Sequence, residues 1–256
     1  KEVTVASLQS DYNSFVSANS SVIYNTDTKI NLTSNIYGED FKMNWDSHDS
    51  TERLIGTGDY HTYREVKAKA FEDELSERVD NTIIGGDRYT TYDGTNYFKT
   101  KYESNPTDGV LDVVEQIFGD SSARVTTNDT GNVISGKMEG PYLPYLFDKT
   151  SMTGLLDFKS QTDKPVKAEY TLTLDKKTAA PTKLEDTVSI MSEVITGMSN
   201  DSGSVKTTVE NFEITYTFKE FKADSSIVVS DAMASASEVD NIDELSVMAV
   251  SKDSVE

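Results

Sequence analysis

The sequence predicts an α+β protein built on one curved antiparallel sheet with helices packed on its concave face. Three observations carry this. Ala168 to Ile190 reads as two strands around a proline-bearing turn. Ala168, Tyr170, Leu172 and Leu174 alternate with Glu169, Thr171, Thr173 and Asp175, the signature of a strand with one buried face. On the return arm Leu184, Val188 and Ile190 lie opposite Lys183, Glu185 and Ser189. Asp175 to Thr178 makes the polar turn, and Pro181 suits a strand start or edge. The second observation is a strand from Val209 to Phe221, where Phe212, Ile214, Tyr216 and Phe218 point inward against Glu213, Thr215 and Thr217. The third is the run Val110, Val113, Val114, Ile117 and Phe118, apolar at helical spacing. That helix has to cover an apolar surface, and the concave side of the sheet is the obvious place.

Taken in order, the chain opens with an amphipathic helix. Val5, Leu8, Tyr12, Phe15 and Val16 recur at helical spacing behind Thr4, an N-cap. From Val22 the period becomes two: Val22, Tyr24, Ile30 and Leu32 share a face, with Thr26 and Thr28 between. After the Tyr37 to Asp40 turn, Phe41, Met43 and Trp45 form the inner face of the next strand. Extended segments follow at Arg53 to Thr57 and Tyr60 to Phe71. Glu65 to Arg78 is helical by propensity but alternates at Val66, Ala68 and Ala70, and its neighbours favour a strand. Arg88 to Lys99 is a hairpin with a tight turn at Asp93-Gly94. Asn105 to Asp108 introduces the second helix and Gly119 ends it. Asn128 to Asn132 turns another hairpin. Gly140 to Phe147, rich in aromatics and prolines, reads as a loop or short helix that inserts apolar side chains. A polar turn at Ser199 to Ser204 precedes the long last strand. The expected division is one half-barrel domain over 1–222 and an acidic, Ser- and Ala-rich tail over 223–256, with a loose helix around Ala232 to Val250 or partial disorder.

Forty-four acidic against 24 basic residues give a formal charge of −20, which repels nucleic acid and anionic membrane surfaces. The densest basic run, Lys164 to Lys183, is interleaved with Asp and Glu. With no cysteine, disulfides, zinc–thiolate sites and thiol catalysis are excluded. No apolar run of about 20 residues is present, so no helical span is expected. A start at Lys1 without Met points to a removed leader. The zero cysteine count and the Ser, Thr, Asn and Tyr content suit an exported bacterial protein.

In this order the elements resemble the LolA/LppX-like family of lipoprotein carriers and lipid-binding lipoproteins. The residues that bear the resemblance are the leading helix, the Tyr92-Asp93-Gly94 hairpin feeding a helix, and Leu172 to Thr178 with Pro181, Lys183 and Leu184. The resemblance covers about Val5 to Phe221. It implies a strongly curved antiparallel sheet forming an unclosed β-barrel, with helices packed on its concave face, and an extracytoplasmic location, often with a lipidated cysteine at the mature N-terminus. Since this chain has no cysteine, such an anchor would lie upstream of Lys1. The acidic tail and the Tyr- and Thr-rich strands depart from the family pattern.

No motif for catalysis stands out. His48 reads as part of a polar turn and His61 as lying near a strand start, both as exposed loop residues. A nucleophile elbow, a Ser-x-x-Lys pair and a His-Glu-x-x-His helix are all missing. Asn128 to Asn132 offers oxygen ligands without EF-hand spacing, and a hairpin turn explains it better. The chain is therefore expected to be no enzyme, with no cofactor and no metal. The remaining candidate is the apolar interior. Tyr24, Leu32, Phe41, Met43, Trp45, Tyr145, Phe147, Phe212, Ile214, Tyr216 and Phe218 are the expected ligand-binding residues. Either the helix and the Leu143 to Phe147 loop fill this interior as a closed core, or an apolar ligand replaces missing core contacts. The expected function is an extracytoplasmic, lipid-anchored lipoprotein that binds or carries a lipid-like ligand. The alternative is a cell-surface module with a filled core and a protein or glycan partner.

Overall fold

The computed structural model describes residues 3–36, 38–70, 73–102, 109–139, 167–189, 194–196 and 205–242. The chain opens with α1 (Val5–Ser17), started by a reciprocal cap. Thr4 Oγ1 accepts from Ser7 N at 3.2 Å, and Ser7 Oγ accepts from Thr4 N at 3.0 Å. A first meander follows: β1 (Ser21–Ile36), β2 (Glu39–Leu54), β3 (Tyr60–Ala70), β4 (Asp73–Ile84), β5 (Asp87–Thr91) and β6 (Phe98–Lys101). After α2 (Val110–Phe118) comes a second: β7 (Arg124–Asn128), β8 (Gly131–Glu139), β9 (Lys167–Leu174) and β10 (Pro181–Ser189). Then come β11 (Val194–Thr196) and β12 (Val205–Lys222).

The two meanders join through β12, which pairs antiparallel with both β1 and β10. The result is one open, curved sheet in the order β6-β5-β4-β3-β2-β1-β12-β10-β9-β8-β7, with β11 added to β12. Long strands coil as they twist, and the two register shifts in the β1–β12 pairing, at Ile23/Tyr24 and Asn31/Leu32, add local bend. Gly85 and Gly86, both at positive φ, turn β4 into β5 with only two residues between the closing pair Ile84 and Asp87.

Cross-strand rows place the core. Thr26, Tyr216, Leu184, Leu172, Ile134 and Val125 line up across β1, β12, β10, β9, β8 and β7. Leu184, Leu172 and Ile134 are fully buried. Over this face lie both helices. Tyr12 packs its ring 5.1 Å from that of Phe118, and Phe15 sits edge-on to Phe221 at 4.9 Å. All five apolar residues expected on α2 are buried. The N-terminal end of α2 abuts β2, where a Cβ on Gly109 would come within 2.9 Å of Arg53 Nε. Just beyond its C-terminal end, Asp120 accepts from Tyr170 of β9 at 2.6 Å. The helix thus bridges the two meanders across the concave side.

Three sequence expectations differ from the structure. The second strand runs unbroken from Glu39 to Leu54, and Ile55 to Thr57 form a turn rather than an extended segment. The reason is pairing: each residue of β2 from Met43 to Arg53 has a partner on β3, which outweighs the polarity that suggests a break. The Asp93-Gly94 connection is wide, running from Thr91 to Phe98. There Asp93 Oδ1 accepts from the backbone of Thr95 and Asn96, both at 2.8 Å, organising a loop in place of a two-residue turn. The tail forms one helical turn, α3 (Asp231–Ala234), and then β13 (Ser237–Glu238), which pairs parallel with β6. The segments 103–108, 140–166, 190–193, 197–204 and 243–256 lie outside the described residues. They contain the helix-introducing Asn105 to Asp108, the Gly140 to Phe147 loop, Ile190, the Ser199 to Ser204 turn and the end of the Ala232 to Val250 reading.

Candidate ligand-binding site

The concave face of the first meander is built in rows of opposed residues. One row, Ile30–Trp45–Ala68–Leu75, crosses β1 to β4 and continues on the other side of Ile30 to Phe212 of β12. It is apolar throughout. Its burial is graded: Phe212 is 0% exposed, Ile30 1%, Trp45 5% and Leu75 41%, with Ala68 partly buried. An apolar lane therefore runs from the interior of the sheet to solvent at β4. Met43 borders it, partly buried against the core.

The rows on the helix side of the lane are polar. Thr26, Asp49, Arg64 and Val79 form one, and Tyr24, Thr51, Thr62, Asn81, Thr90 and Phe98 another. Their groups satisfy one another. Arg64 donates to both Asp49 oxygens at 2.7 and 2.6 Å, a two-pronged pair with little exposure. Burial works against the Arg64 charge, and the adjacent Asp49 carboxylate outweighs it, so the Arg64 pKa is raised. The Thr51 and Thr62 hydroxyls meet at 2.8 Å, and Thr90 donates to Asn81 Oδ1 at 2.5 Å. Next to them Arg53 lies over the Tyr60 ring, 5.4 Å from its centre. Burial pushes the Tyr60 and Tyr24 hydroxyls above the usual phenol range.

Of the expected site residues, Tyr24, Trp45, Phe212, Ile214, Tyr216 and Phe218 are buried on this inner face. Tyr24 lies between Tyr216 and Phe218, with ring centres 6.2 Å from each. Phe41 is partly buried at the far end of β2. Register places Leu32 opposite Met43 and Val209. Tyr145 and Phe147 lie outside the described residues. The inner-facing Asp49, Thr51, Arg53, Thr62 and Arg64 escape the sequence reading. Counting by twos from Trp45 reaches Ser47, Asp49, Thr51 and Arg53, so the signal exists, but the polar residues around His48 read as a turn.

No family model matches the chain, and no curated protein does either. Among solved structures it is similar to LprF from Mycobacterium bovis, with a TM-score of 0.46 at 10% identity, covering 88% of this chain and 95% of that one. It is also similar to a β-barrel-like DUF1849 protein from Brucella abortus (TM-score 0.26, 8% identity, 78% of this chain and 98% of that one). A DUF1329 family protein from Desulfovibrio piger matches at 0.26 and 8%, over 88% of this chain and 95% of that one. These likenesses concern the fold alone.

The convex face has the opposite character. His48 lies within β2, not in a turn, and its Nδ1 sits 2.6 Å from Asp27 Oδ1, its partner across β1. His61, on β3, is 2.9 Å from Asp80, and that hydrogen bond raises its pKa. Each histidine thus belongs to a cross-strand pair on a solvated surface. Asn128 Oδ1 accepts from Thr130 N at 2.9 Å and Gly131 N at 3.1 Å, which is hairpin-turn bonding. Among the described residues no group of three or more His, Asp or Glu side chains is placed to hold a metal ion, and no helix is long and apolar enough to cross a membrane.

Proposed function

We propose that the chain is a non-enzymatic, extracytoplasmic bacterial lipoprotein that binds or carries an apolar, lipid-like ligand on the concave face of its half-barrel. The observation that supports this is the lane Phe212–Ile30–Trp45–Ala68–Leu75, apolar across five strands and opening to solvent at Leu75. Each methylene moved from water into such a lane contributes roughly 0.8 kcal/mol. A segment of about ten would contribute roughly 8 kcal/mol before the cost of ordering the ligand. An anchor would be a lipidated cysteine upstream of Lys1, since the chain itself has none.

The test is uptake of a fluorescent fatty-acid probe by delipidated protein. Saturable binding, displaced by unlabelled lipid and weakened by Leu75→Asp or Ala68→Glu, is the expected result. A probe that stays in water overturns the carrier reading. The second reading, a cell-surface module with a filled core and a protein or glycan partner, then takes its place. It is favoured by the complete burial of Val113, Val114 and Ile117 of α2.

A further inference from the structure

We propose that the ligand presents an acyl carbonyl oxygen within its hydrocarbon length and that the Trp45 indole N–H donates to it. This rests on the carrier reading and narrows it from an apolar molecule to a fatty acyl compound.

The argument starts from an unmet donor. Trp45 Nε1 is buried, and no hydrogen-bond partner reaches it. Leaving such a group unpaired costs roughly 1–3 kcal/mol, and buried donors in folded proteins are almost always satisfied. Among the described residues two other buried atoms share this condition, the Ser21 and Thr82 hydroxyls. By strand alternation both lie on the opposite face of the sheet from Trp45. Among the described residues Trp45 is thus the unmet donor on the concave face, and it stands in the middle of the apolar lane between Ile30 and Ala68.

Among the described residues no acceptor of the neighbouring polar rows reaches it. Asp49 is engaged by Arg64 through both oxygens, and the Thr51 and Thr62 hydroxyls engage each other. Directly beside the lane, the row Thr28–Ser47–Val66–Glu77 keeps Thr28 and Val66 buried. A pure hydrocarbon in the lane would leave the indole N–H unmet. An acyl ester or acid, whose carbonyl oxygen sits on an otherwise apolar chain, would satisfy it.

Trp45 is the only tryptophan, so 15N-labelled protein shows one indole N–H resonance, which reports on this bond alone. Methyl palmitate, palmitate and hexadecane, each delivered from cyclodextrin, are the probes. An acyl probe should move the indole proton downfield and bind about tenfold more tightly than hexadecane, the worth of roughly one buried hydrogen bond. Whichever acyl probe gives the larger shift identifies ester or free acid. Trp45→Phe should abolish the preference while leaving hexadecane binding in place. Equal binding of all three probes, or acyl binding with no downfield shift, overturns the inference and leaves the carrier reading standing. If none of the probes binds, both fall together. Should Trp45→Phe fail to fold, the wild-type shift and preference decide the matter.

Discussion

Asp49 and Arg64 face each other across β2 and β3, on the concave side of a sheet that is otherwise apolar in its deepest rows. Their two short hydrogen bonds offset the cost of taking both charges out of water. Removing one partner leaves the other charge buried and unneutralised. Asp49→Ala should therefore destabilise the protein by about 3 kcal/mol in urea unfolding. The double replacement Asp49→Leu with Arg64→Met should recover most of that loss, because it removes the desolvation cost together with the attraction. A double variant as unstable as Asp49→Ala would show that the pair contributes net stability. The same residues show where sequence reading stops. Their spacing marks them as inward-facing, but a carboxylate and a guanidinium at core positions make sense only once each is seen to meet the other from a different strand.

α2 is the element on which the concave face depends, since it spans from Arg53 on β2 to the Asp120–Tyr170 bond at β9. Ile117 is fully buried in the main core. Ile117→Ala should cost about 3 kcal/mol by lost burial and residual cavity, measured by calorimetry or denaturant titration. A cost under about 1 kcal/mol would mean that the helix is loosely seated. This helix is legible from sequence because Val110, Val113, Val114, Ile117 and Phe118 repeat at its period, and Gly119 follows them. The strands Lys167–Leu174 and Val205–Lys222 are legible for the same reason, with period two from Ala168 to Leu174 and from Phe212 to Phe218, the latter strand breaking it only where the register shifts fall. The middle of β2 is not. Asp46, Ser47, His48, Asp49 and Ser50 have turn-forming side chains, and only pairing with β1 on one side and β3 on the other keeps them extended. The Asp93 loop fails to follow the hairpin rule for a related reason: its carboxylate binds two backbone N–H groups that a tight turn would leave elsewhere.

At the scale of the whole molecule, two meanders meet at β1 and β12, and their outermost described strands are β6 and β7. The chain beyond β12 attends to one of them. Ser225 and Lys222 both donate to Glu52 on the convex face, at 2.7 and 2.9 Å. Past α3, with Met233 buried, β13 then pairs with Phe98 and Lys99 of β6. Farther on, Ile242 is 1% exposed, and its carbonyl accepts from the Tyr92 hydroxyl at 3.2 Å. Residues 223–242 therefore act as a strap from the centre of the sheet to its β6 edge, supplying apolar anchors outside the main core. An uncovered edge strand is a template for pairing between molecules. A chain ending at Lys222 should lose the burial of Met233 and Ile242, worth roughly 1.5–3 kcal/mol each. It should also self-associate, seen as a lower melting temperature in calorimetry and larger species in sedimentation velocity. Ile242→Ala in the full chain isolates the anchor from the edge: it should lower stability by about 2 kcal/mol while β13 keeps the edge covered and sedimentation unchanged. If the shortened chain melts and sediments like the full one, the strap is dispensable, and the half-barrel is complete at β12.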